Sequence, residues 1–153
     1  MAAGEKYRNE LIRTANALVA DGKGLLAADE SIGSIEKRFK AVGIENTQDR
    51  RQNWRDVLFT APGEISKYLG GIITFEETLM KHNDSKGTPL VEVIQDRGIV
   101  PGIKTDKGTV KMPGTDGETS TQGLDGLAER SQEYYKQGAR FAKWFSTTLY
   151  YVD

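Results

Sequence analysis

Four short apolar runs, each carrying charge at its end and separated from the next by helical or turn-forming sequence, constrain this chain more than any other feature. They are Leu25–Ala28, Leu69–Phe75, Ile99–Lys104 and Ala139–Phe145. Each has the length of a buried strand and is bounded by turn chemistry, although Pro101 fits a central ladder poorly. Between them the apolar spacing is helical. Residues 7–20 place Tyr7, Leu11, Ile12, Ala15, Leu18 and Val19 on one face, and Ser34–Val42 does the same with Ile35, Phe39 and Val42. A third helix is predicted to start on an Asn46 cap, turn Trp54, Val57 and Leu58 inward, and stop at Pro62-Gly63. Leu90, Val93 and Ile94 form a short stripe, and a last helix runs from Leu124 through Tyr134 to Gly138. Asp106–Gln122, polar and rich in glycine, reads as a long loop. Alternation of this kind predicts an α/β fold with parallel strands. Four such strands make a small open sheet or half of an eight-stranded barrel, since a complete barrel needs ~200 residues or more and this chain has 153.

Composition removes several function classes. A net charge of −1 lacks the basic excess of a nucleic-acid binder. The absence of cysteine excludes a disulfide framework, a thiolate zinc site and a thiol nucleophile. The single histidine, His82, is expected in a polar loop and makes neither a His-rich metal cluster nor a Ser-His-Asp triad. No apolar segment opens the chain as a signal peptide does, and none has the ~18 residues of a membrane helix, so the expected compartment is the cytoplasm and no membrane partner is expected.

Hydroxyls, carboxylates and amines are left for chemistry, and they gather where the strands end. Asp29 and Glu30 follow the first run, Glu76 and Glu77 the second, Lys104 ends the third and Lys143 lies within the fourth. In parallel α/β folds the C-terminal strand ends are where ligands bind, although strands also end in polar residues for no reason but solvation. Lys143 stands among apolar neighbours, a setting that suits an amine nucleophile or proton donor as well as an ordinary strand-end lysine. Ser31 and Ser34 flank a helix start with Arg38 one turn on, which suits either a phosphate or simple capping. Neither G-x-G-x-x-G nor a P-loop is present.

Longer motifs carry a resemblance. Gly24-Leu25-Leu26-Ala27-Ala28-Asp29-Glu30-Ser31-Ile32-Gly33-Ser34 closely resembles the first-strand signature of class I fructose-bisphosphate aldolases, and Gly43-Ile44-Glu45-Asn46-Thr47 is similar to the family's next short motif. Val100–Gly108, Gly117–Leu127 and Phe141-Ala142-Lys143-Trp144 match further motifs in the family's order. The resemblance implies the N-terminal part of a (β/α)8 TIM barrel, about four βα units. It also implies an enzyme of glycolysis and gluconeogenesis that cleaves fructose 1,6-bisphosphate into two triose phosphates through a lysine Schiff base, with no metal or other cofactor. By the same carry-over Asp29 is an active-site carboxylate near the reacting carbons and Lys143 a charged partner at the substrate hydroxyls. Ser31, Ser34 and Lys104 fall at substrate-binding positions, and Arg38 and Arg51 at basic positions associated with that site. Phosphorylated sugar is then the expected partner, and the full-length parent is expected to be a homo-oligomer.

The resemblance breaks after Trp144. The family carries an arginine where this chain has Phe145, and residues 145–153 match nothing in it, so the expected organisation is an aldolase unit over 1–144 and a divergent tail over 145–153. The family's Schiff-base lysine, paired proton-transfer glutamates and second phosphate site are expected beyond that point. The resulting expectation is an isolated chain without cleavage activity, which aggregates, dimerises or pairs with a complementary half. The alternative is a non-catalytic fragment that associates with full-length aldolase or another partner.

Overall fold

The computed structural model describes residues 3–146, so most of the expected tail, 147–153, lies outside the described residues. A first helix, α1 (Ala3–Leu18), leads into β1 (Gly24–Ala28), α2 (Ile32–Ala41) and α3 (Gln48–Phe59). After one 3-10 turn come β2 (Leu69–Thr74), α4 (Glu76–Lys81), α5 (Leu90–Asp96) and β3 (Val100–Lys104). Two short strands, β4 (Thr109–Lys111) and β5 (Thr119–Thr121), precede α6 (Leu127–Lys136) and β6 (Phe141–Lys143). The main sheet has the order β1-β2-β3-β6, and every neighbouring pair in it is parallel.

The register sorts the side chains onto two faces, because alternate residues of a strand point to opposite sides. Leu26 and Ala28 lie level with Ile72 and Thr74, and these with Pro101 and Ile103. This face meets the helices: Ala28 and Ile72 pack with Phe59, Leu90, Ile94 and Ile99, while Ile103 joins Leu79, Val91, Tyr134 and Ala139. Pro101 is tolerated inside the sheet with its carbonyl accepting from Arg140 N at 2.8 Å.

The opposite face holds Leu25, Gly71, Gly102 and Phe141, and it is hollow. A Cβ on Gly102 would stand 2.2 Å from Phe141 Cζ, and one on Gly71 would stand 2.6 Å from Leu18 Cδ2 and 2.9 Å from Phe141 Cε1. The Phe141 ring therefore lies across the two middle strands in space that only glycine leaves open.

Several local expectations need correction. The Asp106–Gln122 stretch is an antiparallel hairpin, with Thr109 level with Thr121 and Lys111 with Thr119. Its threonines and Val110 supply the strand propensity that its glycines obscure. Thr47, not Asn46, caps α3, its hydroxyl accepting from Arg50 N at 3.3 Å. Asn46 instead donates to Ile32 O and accepts from Arg51 Nη1. Val57 is 67% exposed, and the buried residues of α3 are Arg51, Arg55 and Phe59. On α1, Leu11 and Ile12 are 58% and 49% exposed, so its apolar face is only partly covered.

Gly102→Ala is expected to lower unfolding stability by about 1–3 kcal/mol, the usual range for forcing atoms into a packed site. Urea denaturation followed by circular dichroism checks this, and wild-type stability would contradict the account of the Phe141 ring.

Candidate active site

The hollow face ends in charge. Lys104 and Lys143 are the last residues of β3 and β6 and lie level in the register, so two like charges stand side by side on one face. Each is answered by a carboxylate, as like charges at that spacing require. Lys143 Nζ donates to Asp29 Oδ2 at 2.7 Å, and Lys104 donates to the Asp106 carboxylate and, at 3.0 Å, to its carbonyl. Asp29 sits one residue past β1, so the first pair spans the whole sheet. Burial works against the Asp106 charge, but Lys104 and the N–H groups of Phe145 and Gly108 outweigh it and hold its pKa below the ordinary value.

These groups line a cleft of about 550 Å³ at the C-terminal ends of the strands, together with Ser31, Ser34, Glu30, Glu76 and Lys107. Ser31 caps α2: its hydroxyl accepts from Ser34 N at 3.3 Å and lies 3.1 Å from Ser34 Oγ. Capping is thus realised, and it leaves the helix N-terminus, with its partial positive charge, facing the cleft. Lys107 reaches from the loop before the hairpin to Glu76 at the start of α4, at 3.1 Å.

Five of the seven sequence-predicted residues therefore meet in one place: Asp29, Ser31, Ser34, Lys104 and Lys143. Arg38 is adjacent but engaged, its Nη1 donating to Glu30 Oε1 at 2.6 Å from a side chain 59% exposed. Arg51 lies behind the cleft. Its Nε and Nη2 each donate to Glu77 at 2.7 Å, and Nη1 donates to Asn46 Oδ1 at 2.9 Å. The fork of hydrogen bonds to Glu77 raises the Arg51 pKa and holds the Glu77 carboxyl below its ordinary range. Of the two strand-end glutamates after β2, then, Glu76 faces the cleft and Glu77 turns away from it.

Sequence reasoning did not single out Asp106, Lys107 or Phe145 as lining residues. The signal available for Asp106 was its place two residues after Lys104, close enough for an ion pair once the strand ends. Phe145, standing where the resemblance has an arginine, donates its backbone N–H to Asp106 Oδ2 at 3.1 Å. His82 also departs from expectation: it is 2% exposed, packed behind the cleft with Nε2 3.5 Å from Glu77 Oε2. Neither ring nitrogen has a hydrogen-bond partner among the described residues. Burial pushes its pKa down to about 4, with Glu77 opposing and the cations of Arg55 and Arg51 adding to the shift.

A parallel sheet with one face under helices, the other hollow, and a charged cleft at the C-terminal strand ends defines part of an α/β barrel protein. The comparisons are specific about which. The glycolytic class I fructose-bisphosphate aldolase family model matches residues 10–149, and the chain belongs to that family. It is 56% identical over 144 residues to fructose-bisphosphate aldolase 2 of Plasmodium berghei (strain Anka), covering 94% of this chain and 38% of the relative. It is 55% identical over 139 residues to the cytosolic fructose-bisphosphate aldolase 5 of Arabidopsis thaliana, covering 91% of this chain and 38% of that one. Among solved structures it superposes on Plasmodium falciparum fructose-bisphosphate aldolase, crystallised with TRAP and a small-molecule inhibitor. The TM-score is 0.87 and the identity 52%, over 92% of this chain and 40% of that one. The fold is the N-terminal part of a (β/α)8 barrel, and the chain spans about two-fifths of the length of these relatives. No helix among the described residues is long and apolar enough to cross a membrane.

The buried histidine gives a pH prediction. Between its ordinary pKa of 6.5 and its folded value of about 4, the unfolded chain takes up a proton that the folded chain refuses. Stability is therefore full above about pH 6.5 and falls as pH drops through this window, by about 3 kcal/mol at its foot. Being the sole histidine, His82 has a unique imidazole NMR signal. A midpoint near 4 is expected, and one near 6.5 would contradict the burial.

Proposed function

We propose that residues 1–144 supply the N-terminal portion of a class I aldolase active site, and that the cleft at the strand ends binds a phosphorylated sugar of the fructose 1,6-bisphosphate class. The observation that carries this reading is the Asp29–Lys143 pair at 2.7 Å, in the same cleft as the N-terminus of α2. A bisphosphorylated sugar needs cations and N–H donors for phosphate, and its carbon–carbon cleavage needs an acid–base group beside the reacting carbons. Asp29 is the proposed acid–base carboxylate, and Lys143 binds substrate hydroxyls while holding Asp29 in place. Lys104 with the hydroxyls of Ser31 and Ser34 takes a phosphate. Arg38 and Arg51 complete the set as basic residues beside the cleft, Arg38 at its exposed rim and Arg51 behind it.

The proposed parent reaction is the family's glycolytic and gluconeogenic cleavage through a lysine Schiff base, without metal. The 153-residue chain alone is proposed to bind sugar phosphate without cleaving it. Lys104, Lys107 and Lys143 each donate to a carboxylate in the cleft, a role that uses the ammonium, whereas Schiff-base formation uses the free amine. The cytoplasm is the proposed compartment, in keeping with the cytosolic name of the Arabidopsis relative. A second reading, an interaction fragment that associates with full-length aldolase, is favoured by the unpaired outer edges of β1 and β6 among the described residues and by exposed Leu25. Homo-oligomerisation belongs to the proposed full-length parent.

Titration calorimetry with fructose 1,6-bisphosphate is expected to show saturable binding, weakened about ten-fold by Lys104→Met through loss of one charge-assisted contact. Borohydride reduction in the presence of dihydroxyacetone phosphate is expected to leave the intact mass unchanged. Absence of binding would overturn the site, and a stoichiometric adduct would overturn the claim that the chain alone does no covalent chemistry.

A further inference from the structure

We propose that Arg55 is a positioning residue for the cleft: by gripping both the side chain and the main chain of Glu30, it fixes the backbone that presents Asp29 and Ser31 to a bound sugar phosphate. The inference rests on the reading of the cleft as a sugar-phosphate site. Arg55 lies on α3, outside the cleft, and is 1% exposed. Its Nη1 donates to Glu30 Oε2 at 2.7 Å and its Nη2 to the Glu30 carbonyl at 3.0 Å. A guanidinium holds two acceptors in one plane in a way that a lysine ammonium does not. Here both acceptors belong to a single residue, so the fork fixes the peptide that joins Glu30 to Ser31 as well as the Glu30 side chain.

The residues on either side of Glu30 are the ones the cleft uses. Asp29 holds Lys143 at 2.7 Å, and Ser31 caps α2. The second oxygen of Glu30 is taken by Arg38 at 2.6 Å, so the glutamate is held from both sides. Arg51, one turn earlier on α3, makes a comparable fork, but its partner Glu77 lies outside the cleft. Among the described residues, Arg55 alone couples α3 by a side-chain hydrogen bond to a residue lining the site.

The arrangement is costly for a merely structural contact. Burial pulls the Arg55 pKa below its ordinary value against the opposing charge of Glu30, and the buried Nε has no partner among the described residues. Buried ion pairs often add little net stability compared with apolar residues of similar volume. What the fork does supply is a fixed geometry between Asp29 and Ser31.

The test uses the whole 153-residue chain. Three properties are measured for wild type, Arg55→Lys and Phe59→Leu: the thermal midpoint, the amide NMR signals of Asp29, Glu30 and Ser31, and affinity for fructose 1,6-bisphosphate at a temperature where each is fully folded. Phe59 is fully buried one turn along α3 and belongs to the core, so Phe59→Leu lowers stability without touching Glu30. Positioning predicts that Arg55→Lys moves or broadens the three signals and weakens affinity about ten-fold. Phe59→Leu, a change at a side chain that packs beside Ala28, leaves the affinity and the Glu30 and Ser31 signals unchanged. Wild-type signals and affinity in Arg55→Lys would overturn the inference, as would equal losses in Phe59→Leu. Should Arg55→Lys fail to fold, Glu30→Gln keeps the shape and removes the charge that the fork grips. A smaller displacement of the same signals supports the inference, and unchanged signals refute it. Should wild type bind no sugar phosphate, the sugar-phosphate reading falls by itself, and the signals at 29–31 still decide whether Arg55 fixes this backbone.

Discussion

The contact between Lys143 and Asp29 is the constraint on which the rest of the structure depends. The two residues belong to the last and first strands of the sheet, with β2 and β3 between them. Three inter-strand steps of about 4.8 Å would separate those strands by about 14 Å in a flat sheet, too far for a lysine and an aspartate to meet. A hydrogen bond of 2.7 Å therefore requires the sheet to curl toward this face. Curling needs room on the inner side, and Gly71 and Gly102 provide it while Phe141 fills what remains. The same curl brings the ends of all four strands around one cleft. The chemistry at the strand ends and the small residues at their middles are thus two parts of one geometric requirement.

A second layer of charge sets the loops that follow the strands. Glu30 follows β1 and Glu77 lies in the first turn of α4, just after β2, and each is met by an arginine of α3, Arg55 and Arg51, one helical turn apart. One helix thereby holds two βα connections in register. The arrangement buries guanidinium groups where an amphipathic helix would carry apolar side chains. Paired hydrogen bonds make that burial tolerable, from Arg51 to both carboxylate oxygens of Glu77 and from Arg55 to the carboxylate and carbonyl of Glu30. His82 shares this layer, where its burial, aided by the adjoining cations and opposed by Glu77, keeps it neutral at ordinary pH.

Much of this was legible in the residues, and the parts that were not share a physical reason. Strands were readable because Leu25–Ala28 and Leu69–Phe75 are apolar runs of strand length bounded by turn-forming residues, and length and flanks, not periodicity, separate those from helices. That Asp29, Ser31, Ser34, Lys104 and Lys143 gather at one cleft was readable because strand-end charge and a helix start are local features. The burial of Arg51 and Arg55 escaped because a rule that turns apolar residues inward has no means of finding a buried cation, and their partners lie 26 and 25 residues away in sequence. His82 was misplaced for the same reason, since its polar neighbours in sequence conceal the packing around it. The hairpin at 109–121 was hidden by glycines that serve its turn rather than a loop, and α1 looked more buried than it is because spacing reveals a face but not what covers it.

The most direct measurement of the curl is a double-mutant cycle in urea denaturation with Asp29→Asn, Lys143→Met and the combined variant. If strands β1 and β6 are bent toward each other as described, the two changes are non-additive, with a coupling of about 1 kcal/mol or more, as for a partly buried charge-assisted pair. Additive effects would mean that the two residues do not meet, and the curled sheet with its cleft at the strand ends would be contradicted.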